Sequence, residues 1–326
     1  MAYYDSTYTN GVIAVREKYL LKEKIFRLCE LSAEEAFRML LESGYGGGAE
    51  ITADVYEYEK LIEAEEKSLD GFIREYATSE TEEKYLLAPR DFHNAKALLK
   101  ASYLGVDVEK MLAPEGLITI DVLKTCIAEK QFAQIEVHNP VLAEACKQAT
   151  TVLDEELSGA KVGGIFEKAK YEYLCSIVKR NAVLKRILTA KIDMTNILIF
   201  LRCGDEQLAK EQYLPMGSLS IERLNALFLE DKERAQKAFD ETEYQTFVKT
   251  CFSALEKGLP MTEAEKMLDG YDVQYFAKRK YELSRSEPFL YYVYRRKLEN
   301  ENVRIIFVCL LAGLSEQDVK KRLRSA

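Results

Sequence analysis

Apolar residues recur every three or four positions along most of the chain, which is the spacing of one buried face on an α-helix. Four long stretches show this pattern most clearly: 56–77, 120–137, 166–188 and 220–258. Runs of β-branched residues that end at Asn-Gly or Asp-Gly turns are missing from the chain. The sequence therefore predicts an all-α fold with little sheet.

A fifth helical stretch carries its own boundary signals. Ser32 and Glu35 have the spacing of a capping box, in which each side chain bonds the other's backbone at a helix start. The glycine-rich "GYGGG" at 44–48 follows and predicts a helix stop. It lacks the Lys-Ser/Thr pair of a phosphate loop, so we do not interpret it as a nucleotide site.

Two breaks, "LAPEG" at 112–116 and "LPMG" at 214–217, lie about a hundred residues apart and suggest an internal repeat. The repeat shows in a pattern of an acid and an asparagine three positions apart, which occurs three times at intervals of 102 and 106 residues. We take its six residues as the structural signature of the repeat: Asp91 and Asn94, Asp193 and Asn196, Glu299 and Asn302.

Each copy of the pattern leads into an aliphatic segment that ends near a glycine, at Gly105, Gly204 or Gly313. The first two copies continue in parallel into the breaks, whereas the third reaches the chain end where a fourth copy would begin. We therefore predict three related helical domains, with the boundaries 1–114, 115–216 and 217–326.

Residues three apart lie on one face of a helix, so the acid and the asparagine of each copy point the same way. We expect the acid to cap the first turn of a core helix and the asparagine to bond the backbone of an adjoining segment. Basic residues just before each copy, such as Arg90 and Lys191, could pair with the acid. His93 has no counterpart in the other copies, so the pattern predicts architecture rather than catalysis.

The net charge of −8 is unevenly distributed along the 326 residues. Residues 271–326 hold 12 basic against 7 acidic side chains, whereas 50–83 hold 12 acidic side chains against three basic ones. An acidic chain repels nucleic acid, so no such partner is expected. The acidic stretch is either a solvated helix face or a surface that receives a basic partner, and the sequence leaves both interpretations open.

No known reactive arrangement of residues occurs in the sequence. His93 and His138 lack the neighbours of a metal site and are expected to be polar helix residues. Seven scattered cysteines without a C-x-x-C pair predict buried free thiols in a reducing compartment. No apolar run has the length of a membrane span, and no secretory signal is expected. We predict no catalytic residues, no metal, no cofactor and no small-molecule substrate.

The stretch "DFHNAKALLKASYLG" at 91–105 closely resembles a signature of the C-type rotor component of prokaryotic V/A-type rotary ATPases, a family that includes the d-type component of eukaryotic V-ATPases. The opening "YTNGVIAVREKYLLKEKIFRLCELSAEEAFRMLLESGYG" is also similar to that family. The chain departs from the signature at Ala95, where Leu is usual, and at Ser102, where Lys is usual. The two changes affect only the packing and, through the loss of a lysine at position 102, one surface charge.

This resemblance implies a funnel of three pseudo-symmetric helical domains and a non-catalytic role in a rotor. The implied partners are the central-stalk subunits of the D and F type and the membrane proteolipid ring. The implied process is proton or sodium transport driven by ATP hydrolysis, or ATP synthesis driven by rotation of the ring. The implied location is the cytoplasmic side of the membrane, as a peripheral part of the complex. We expect the acidic N-terminal two-thirds to line the stalk socket.

Two other functions are weighed against this one. A free-standing all-α scaffold built from three repeats would explain the helices and the repeated pattern without a membrane complex. A helical enzyme could use Glu59, Glu63 and Glu66 as a metal groove, but the histidines that helical carboxylate sites use are missing. We prefer the rotor component.

Overall fold

The computed structural model describes residues 3–47, 54–282 and 284–324. Within these ranges the chain forms α-helices and short 3-10 turns and has no strand, which confirms the all-α prediction. None of the helices in these ranges combines the length and the apolar character that a membrane span needs. The chain divides into two compact units, Met1–Glu83 with Glu265–Ala326 and Lys84–Ala264, and the division into three domains stays a prediction.

The first unit is organised around one long central helix. Its helices are α1 (Ser6–Arg16), α2 (Lys24–Leu28), α3 (Ala33–Glu42) and α4 (Tyr58–Tyr76) and, after the second unit, most of α15 (Thr262–Ala277), α16 (Glu287–Leu311) and α17 (Glu316–Arg322). The 25-residue α16 contacts α1, α2, α3, α4 and α17. Val303, Ile306 and Phe307 of α16 are fully buried in a core that also holds Leu28 and Phe37.

The second unit contains ten helices of the described chain, all complete except α5, whose first four residues belong to the first unit. In chain order these are α5 (Glu80–Leu104), α6 (Ile120–Ala128), α7 (Ala133–His138), α8 (Pro140–Glu156), α9 (Gly159–Ile177), α10 (Ala182–Arg202), α11 (Glu206–Gln212), α12 (Ile221–Ala226), α13 (Lys232–Lys237) and α14 (Gln245–Glu256). The central helix here is α10, which contacts α9, α11, α12 and α14 and buries eleven residues.

Short polar side chains set where the helices begin. Ser32 and Glu35 form the predicted capping box at α3, in which the Ser32 hydroxyl accepts from the Glu35 N–H and the Glu35 carboxylate accepts from the Ser32 N–H. Asn181 caps α10, since its side chain accepts from the Leu184 N–H at 3.0 Å. This cap divides the predicted helical stretch 166–188 into α9 and α10, although its apolar spacing continues across the break.

The glycine run after α3 forms the predicted helix stop as far as Gly47, and Gly48 lies outside the described residues. Gly44 and Gly46 have φ angles of 79° and 71°, a conformation that side chains disfavour. A Cβ on Gly46 would also lie 2.5 Å from a methyl carbon of Leu61. The turn therefore brings the backbone at Gly46 directly against Leu61 of α4.

All seven cysteines are free thiols, and five of them are buried. Burial raises the pKa of Cys29 to about 11 and the pKa of Cys146 and Cys251 to about 12, because the thiolate would lose its hydration. Cys175 and Cys203 are the two that are only partly buried. The thiolate is the reactive form, so Cys29, Cys146 and Cys251 have little of it at neutral pH.

We therefore expect iodoacetamide at a pH of about 7.5 to label Cys175 and Cys203 first and to leave the other five thiols largely unmodified in the folded chain. Mass spectrometry of tryptic peptides measures the order, and the chain in denaturant serves as the control in which all seven react. Early labelling of Cys146 or Cys251 in the folded chain would contradict the packing described here.

Candidate functional site

The three predicted acid–amide pairs lie on the three longest helices of the described chain, α5, α10 and α16. The acids stand near the middle of these helices, eleven residues after the first residue in α5 and α10 and twelve after it in α16. The prediction that the acid caps a first turn is therefore wrong. The helices begin earlier because apolar side chains ahead of each acid, such as Leu87 and Leu184, already face the core.

The asparagine of each pair bonds the backbone of a later segment in the same two-way manner. Asn94 donates to the Ala113 carbonyl at 3.1 Å and accepts from the Ala113 N–H at 2.8 Å. Asn196 makes the same two bonds with Leu214, at 2.9 and 2.8 Å. Asn302 makes them with Arg324, at 3.0 and 2.8 Å. Each side-chain amide thus pairs with one backbone residue as a neighbouring strand would.

The acid of the first two pairs accepts bonds from the segment that follows. The Asp91 carboxylate accepts from the Leu117 N–H at 3.0 Å and from the Ile118 N–H at 3.1 Å. Asp193 accepts from the Leu219 N–H at 3.0 Å and from the hydroxyl of Ser218. These bonds lie just before α6 and α12, so Asp91 fixes the segment that leads into α6 and Asp193 fixes the segment that leads into α12.

Asp193 has one further partner, the Tyr244 hydroxyl, which donates to its carboxylate at 2.7 Å. Burial raises the pKa of Tyr244 well above its ordinary value, and the hydrogen bond to the Asp193 carboxylate raises it further. Tyr244 directly precedes α14. One buried carboxylate in the second unit therefore joins α10 to the starts of two later helices.

In the third pair the bonding segment comes from the other end of the chain. Glu299 accepts from the Lys22 N–H at 3.0 Å, two residues before α2 begins. Ile118 and Leu219 also lie two residues before their helices, so Lys22 takes the corresponding place. The sequence suggested that the third copy runs out at the C-terminus, and the N-terminal segment supplies the missing part of it.

Two glycines that the sequence analysis did not single out make room for the shorter acids. A Cβ on Gly116 would lie 2.3 Å from a carboxylate oxygen of Asp91, and a Cβ on Gly217 would lie 2.3 Å from one of Asp193. Each glycine directly precedes the segment that donates to the acid. Their similar spacing from the two aspartates, 25 and 24 residues, was the signal that could have identified them.

Cations surround the third acid, as the basic residues ahead of the pattern suggested. Arg295 lies 3.6 Å from one oxygen of Glu299 and Arg296 lies 3.4 Å from the other. Arg296 is itself buried, lies 3.6 Å from Glu65 and donates to the Tyr19 carbonyl. Burial raises the pKa of Glu299 despite these partners.

The first copy uses its basic residue differently. Arg90, which directly precedes Asp91, donates to the Glu115 carbonyl at 3.4 Å. This bond reaches the same loop that donates to Asp91 through Leu117 and Ile118. The arginine therefore adds to the attachment of that loop to α5.

The other candidate residues have ordinary structural surroundings. The His93 ring lies on α5 and its Nε2 is 2.9 Å from the Met111 carbonyl oxygen. His138 is exposed in the last turn of α7.

The considered metal groove is occupied by an ion-pair cluster instead. Glu59 and Glu66 flank Arg304 at 3.2 and 3.3 Å, so two of its three acids pair with an arginine. The described residues hold no group of three or more possible metal ligands.

The fold is thus that of an all-α protein in which three long helices carry the same buried bonding pattern. The family model described as ATP synthase (C/AC39) subunit matches residues 9–322, a range that contains all six signature residues. The chain therefore belongs to this family and is a component of a V-type rotary ATPase. Relatives named as the C subunit of a V-type ATP synthase, from two strains of Thermus thermophilus, are each 26% identical over 230 residues, which cover 68% of this chain and 70% of theirs.

Replacing Asn196 with Ala should lower the free energy of unfolding by about 2–4 kcal/mol, because the N–H and carbonyl of buried Leu214 lose their partners. Asn196→Asp keeps the acceptor for the N–H and loses the donor to the carbonyl, so it should also destabilise the fold. Exposed Gln134→Ala is the control and should change stability by less than about 0.5 kcal/mol. Denaturant unfolding measures all three, and an Asn196→Ala variant as stable as the control would contradict the assigned role.

Gly116→Ala should destabilise the protein by about 1–3 kcal/mol, because the new Cβ would displace the Asp91 carboxylate from the Leu117 and Ile118 N–H groups. Gly164→Ala in α9 is the matched control, since no atom lies within 4 Å of its added Cβ. Helix propensity favours Ala there, so the control should keep or raise the melting temperature. Equal melting temperatures for the two variants would show that Gly116 is not needed for the contact with Asp91.

Proposed function

We propose that this chain is the non-catalytic rotor component that joins the central stalk of the ATP-hydrolysing head to the membrane proteolipid ring. In this role it transmits torque in either direction and so couples ATP hydrolysis or synthesis to proton or sodium transport. The observation that carries the proposal is the family match over residues 9–322, which extends across both compact units. The name of the Thermus thermophilus relatives, which assigns them to a V-type ATP synthase, supports the same assignment.

The partners that follow from this proposal are the D- and F-type stalk subunits on one side and the ring on the other. The chain would then act on the cytoplasmic side of the membrane, held there by the complex, without a nucleic acid, a cofactor or a small-molecule substrate. Three related domains, 1–114, 115–216 and 217–326, arranged as a funnel are part of the proposal. The shared bonds of Asn94, Asn196 and Asn302 support a common origin for these domains.

The bonding pattern suits a part that transmits torque. A torque deforms a helical protein where neighbouring segments can slide past each other, and buried side-chain bonds to backbone oppose such sliding. Each acid–amide pair fixes the middle of a long helix to two points of other segments. Since these groups are buried, moving them apart would leave unsatisfied polar atoms away from water.

A rotation assay tests the proposal directly. Leu229 is 88% exposed, so a Leu229→Cys variant in which Cys175 and Cys203 are replaced by Ser offers one accessible thiol for a biotin and a bead. The complex is immobilised through its head and supplied with ATP, and the same bead placed on the head is the control. We expect the bead at position 229 to rotate and the control bead to stay fixed. A static bead on a complex that hydrolyses ATP would overturn the rotor assignment.

Ion transport gives a second readout that separates the rotor component from a free-standing scaffold. Membrane vesicles whose complex lacks this chain should lose ATP-driven ion uptake, and adding the purified chain should restore it. The chain alone should hydrolyse no ATP. If uptake is unchanged without the chain, and the chain is recovered as a free monomer away from membranes, the scaffold function is the correct one.

A further inference from the structure

The second unit contains a large apolar groove whose lining includes none of the six signature residues, although Leu214, the partner of Asn196, lies at its edge. It has a volume of about 1100 Å³ and runs beside the α8–α9 hairpin, with α10 and α11 completing its lining. Its α8 wall extends from Pro140 to Val152, and its α9 wall from Ala160 to Glu172. Each wall spans about twelve residue steps, or about 18 Å at the rise of an α-helix, which is the length of about three helical turns.

The α9 wall contains glycines that nothing inside the unit explains. A Cβ on Gly164 would meet no atom within 4 Å, and a Cβ on Gly163 would meet only the end of the Lys100 side chain at 3.8 Å. Glycine inside a helix lowers its stability relative to alanine. Both glycines line the groove and have no side chain, so the backbone of another helix could approach the α9 backbone closely there.

The charges around the groove are predominantly negative. Four acids line it, against the two lysines Lys161 and Lys168; the acids are Glu144, Glu167, Glu172 and Glu211. Both lysines are already bound within the unit: Lys161 lies 2.7 Å from Glu156, and Lys168 donates to the Glu211 carbonyl.

Three of the four acids remain available to a partner. Glu167 is paired with Lys170 at 2.6 Å. Glu144, Glu172 and Glu211 are exposed, and none of them forms an ion pair among the described residues 84–264. Glu144 accepts a hydrogen bond from the neutral side chain of Gln148 at 3.0 Å, which leaves its charge uncompensated. They stand on three different helices, α8, α9 and α11, so they surround the groove with unpaired negative charge.

We propose that this groove binds a basic amphipathic α-helix of another protein. The helix would place its apolar face on Val141, Val152, Ile199 and Leu208 and its backbone over the two glycines of the α9 wall. Lysines or arginines beside that face would pair with the three exposed acids. A helix that buries residues at positions i, i+3, i+4 and i+7 over three turns matches the length of both walls. The inference does not depend on the rotor assignment.

Designed peptides of about 18 residues test the groove, a length at which an alanine-rich helix forms in water. Two peptides share one apolar face and carry either lysine and arginine or glutamate on the flanks, and both are fluorescently labelled. Anisotropy with the full chain should show the basic peptide binding at least about tenfold more tightly than the acidic one. Raising the salt concentration to about 0.5 M should reduce this difference, because exposed charges are then screened.

Three variants locate the binding. Gly164→Leu places a side chain in the groove, where the fold leaves space for it, and should remove binding without lowering the melting temperature. Glu144→Lys combined with Glu172→Lys should reverse the preference between the two peptides. Glu129→Lys, at an exposed acid outside the groove, is the charge control and should leave the preference unchanged.

Equal binding of the two peptides, or binding that survives Gly164→Leu, would overturn the proposal. A fluorescent fatty acid is tested in parallel, because an apolar groove could also hold an alkyl chain. If the fatty acid binds, the peptides do not, and Gly164→Leu removes the fatty acid, the groove is a lipid site and the proposal is wrong.

Discussion

The structure depends on a two-way hydrogen bond between a buried asparagine and the backbone of a later segment. Asn94, Asn196 and Asn302 each satisfy one N–H and one carbonyl that helix ends and loops leave without partners. The acid one turn earlier adds bonds to the start of another helix. Because both side chains are buried, the long helix and the bonded segments can separate only by exposing or orphaning polar groups.

Much of this could be predicted from the sequence, because helical periodicity and a repeated pair of residues are local signals. The all-α fold, the capping box at Ser32 and the choice of the three pairs came from such signals. The place of the acids within their helices was predicted wrongly, since the apolar pattern has no marked start ahead of Asp91. The role of Gly116 could be found only by comparing the first two copies of the pattern, where a glycine follows the aspartate at 25 and 24 residues. The role of Lys22 depends on a contact across 277 residues, and no local pattern encodes that distance.

The third pair shows how the same bonding can be kept with different residues. Leu20, and not a glycine, stands two positions before Lys22, and the acid is a glutamate with one more methylene than an aspartate. The longer side chain still accepts from the Lys22 N–H at 3.0 Å, although no glycine precedes that segment. Arg295 and Arg296 then compensate a carboxylate that is fully buried. Segments from both ends of the chain are thereby fixed to α16, one by Glu299 and the other by the asparagine one turn later.

Hydrogen exchange measured residue by residue tests the importance of these bonds most directly. The account predicts that the N–H groups of Ala113, Leu214 and Arg324, which lie outside helices, exchange as slowly as those in the middle of α5, α10 and α16. It also predicts that replacing one asparagine speeds exchange at its own partner and leaves the other two protected. If all three N–H groups exchange at the rates of exposed loops in the unmodified protein, the pairs do not hold the helices together.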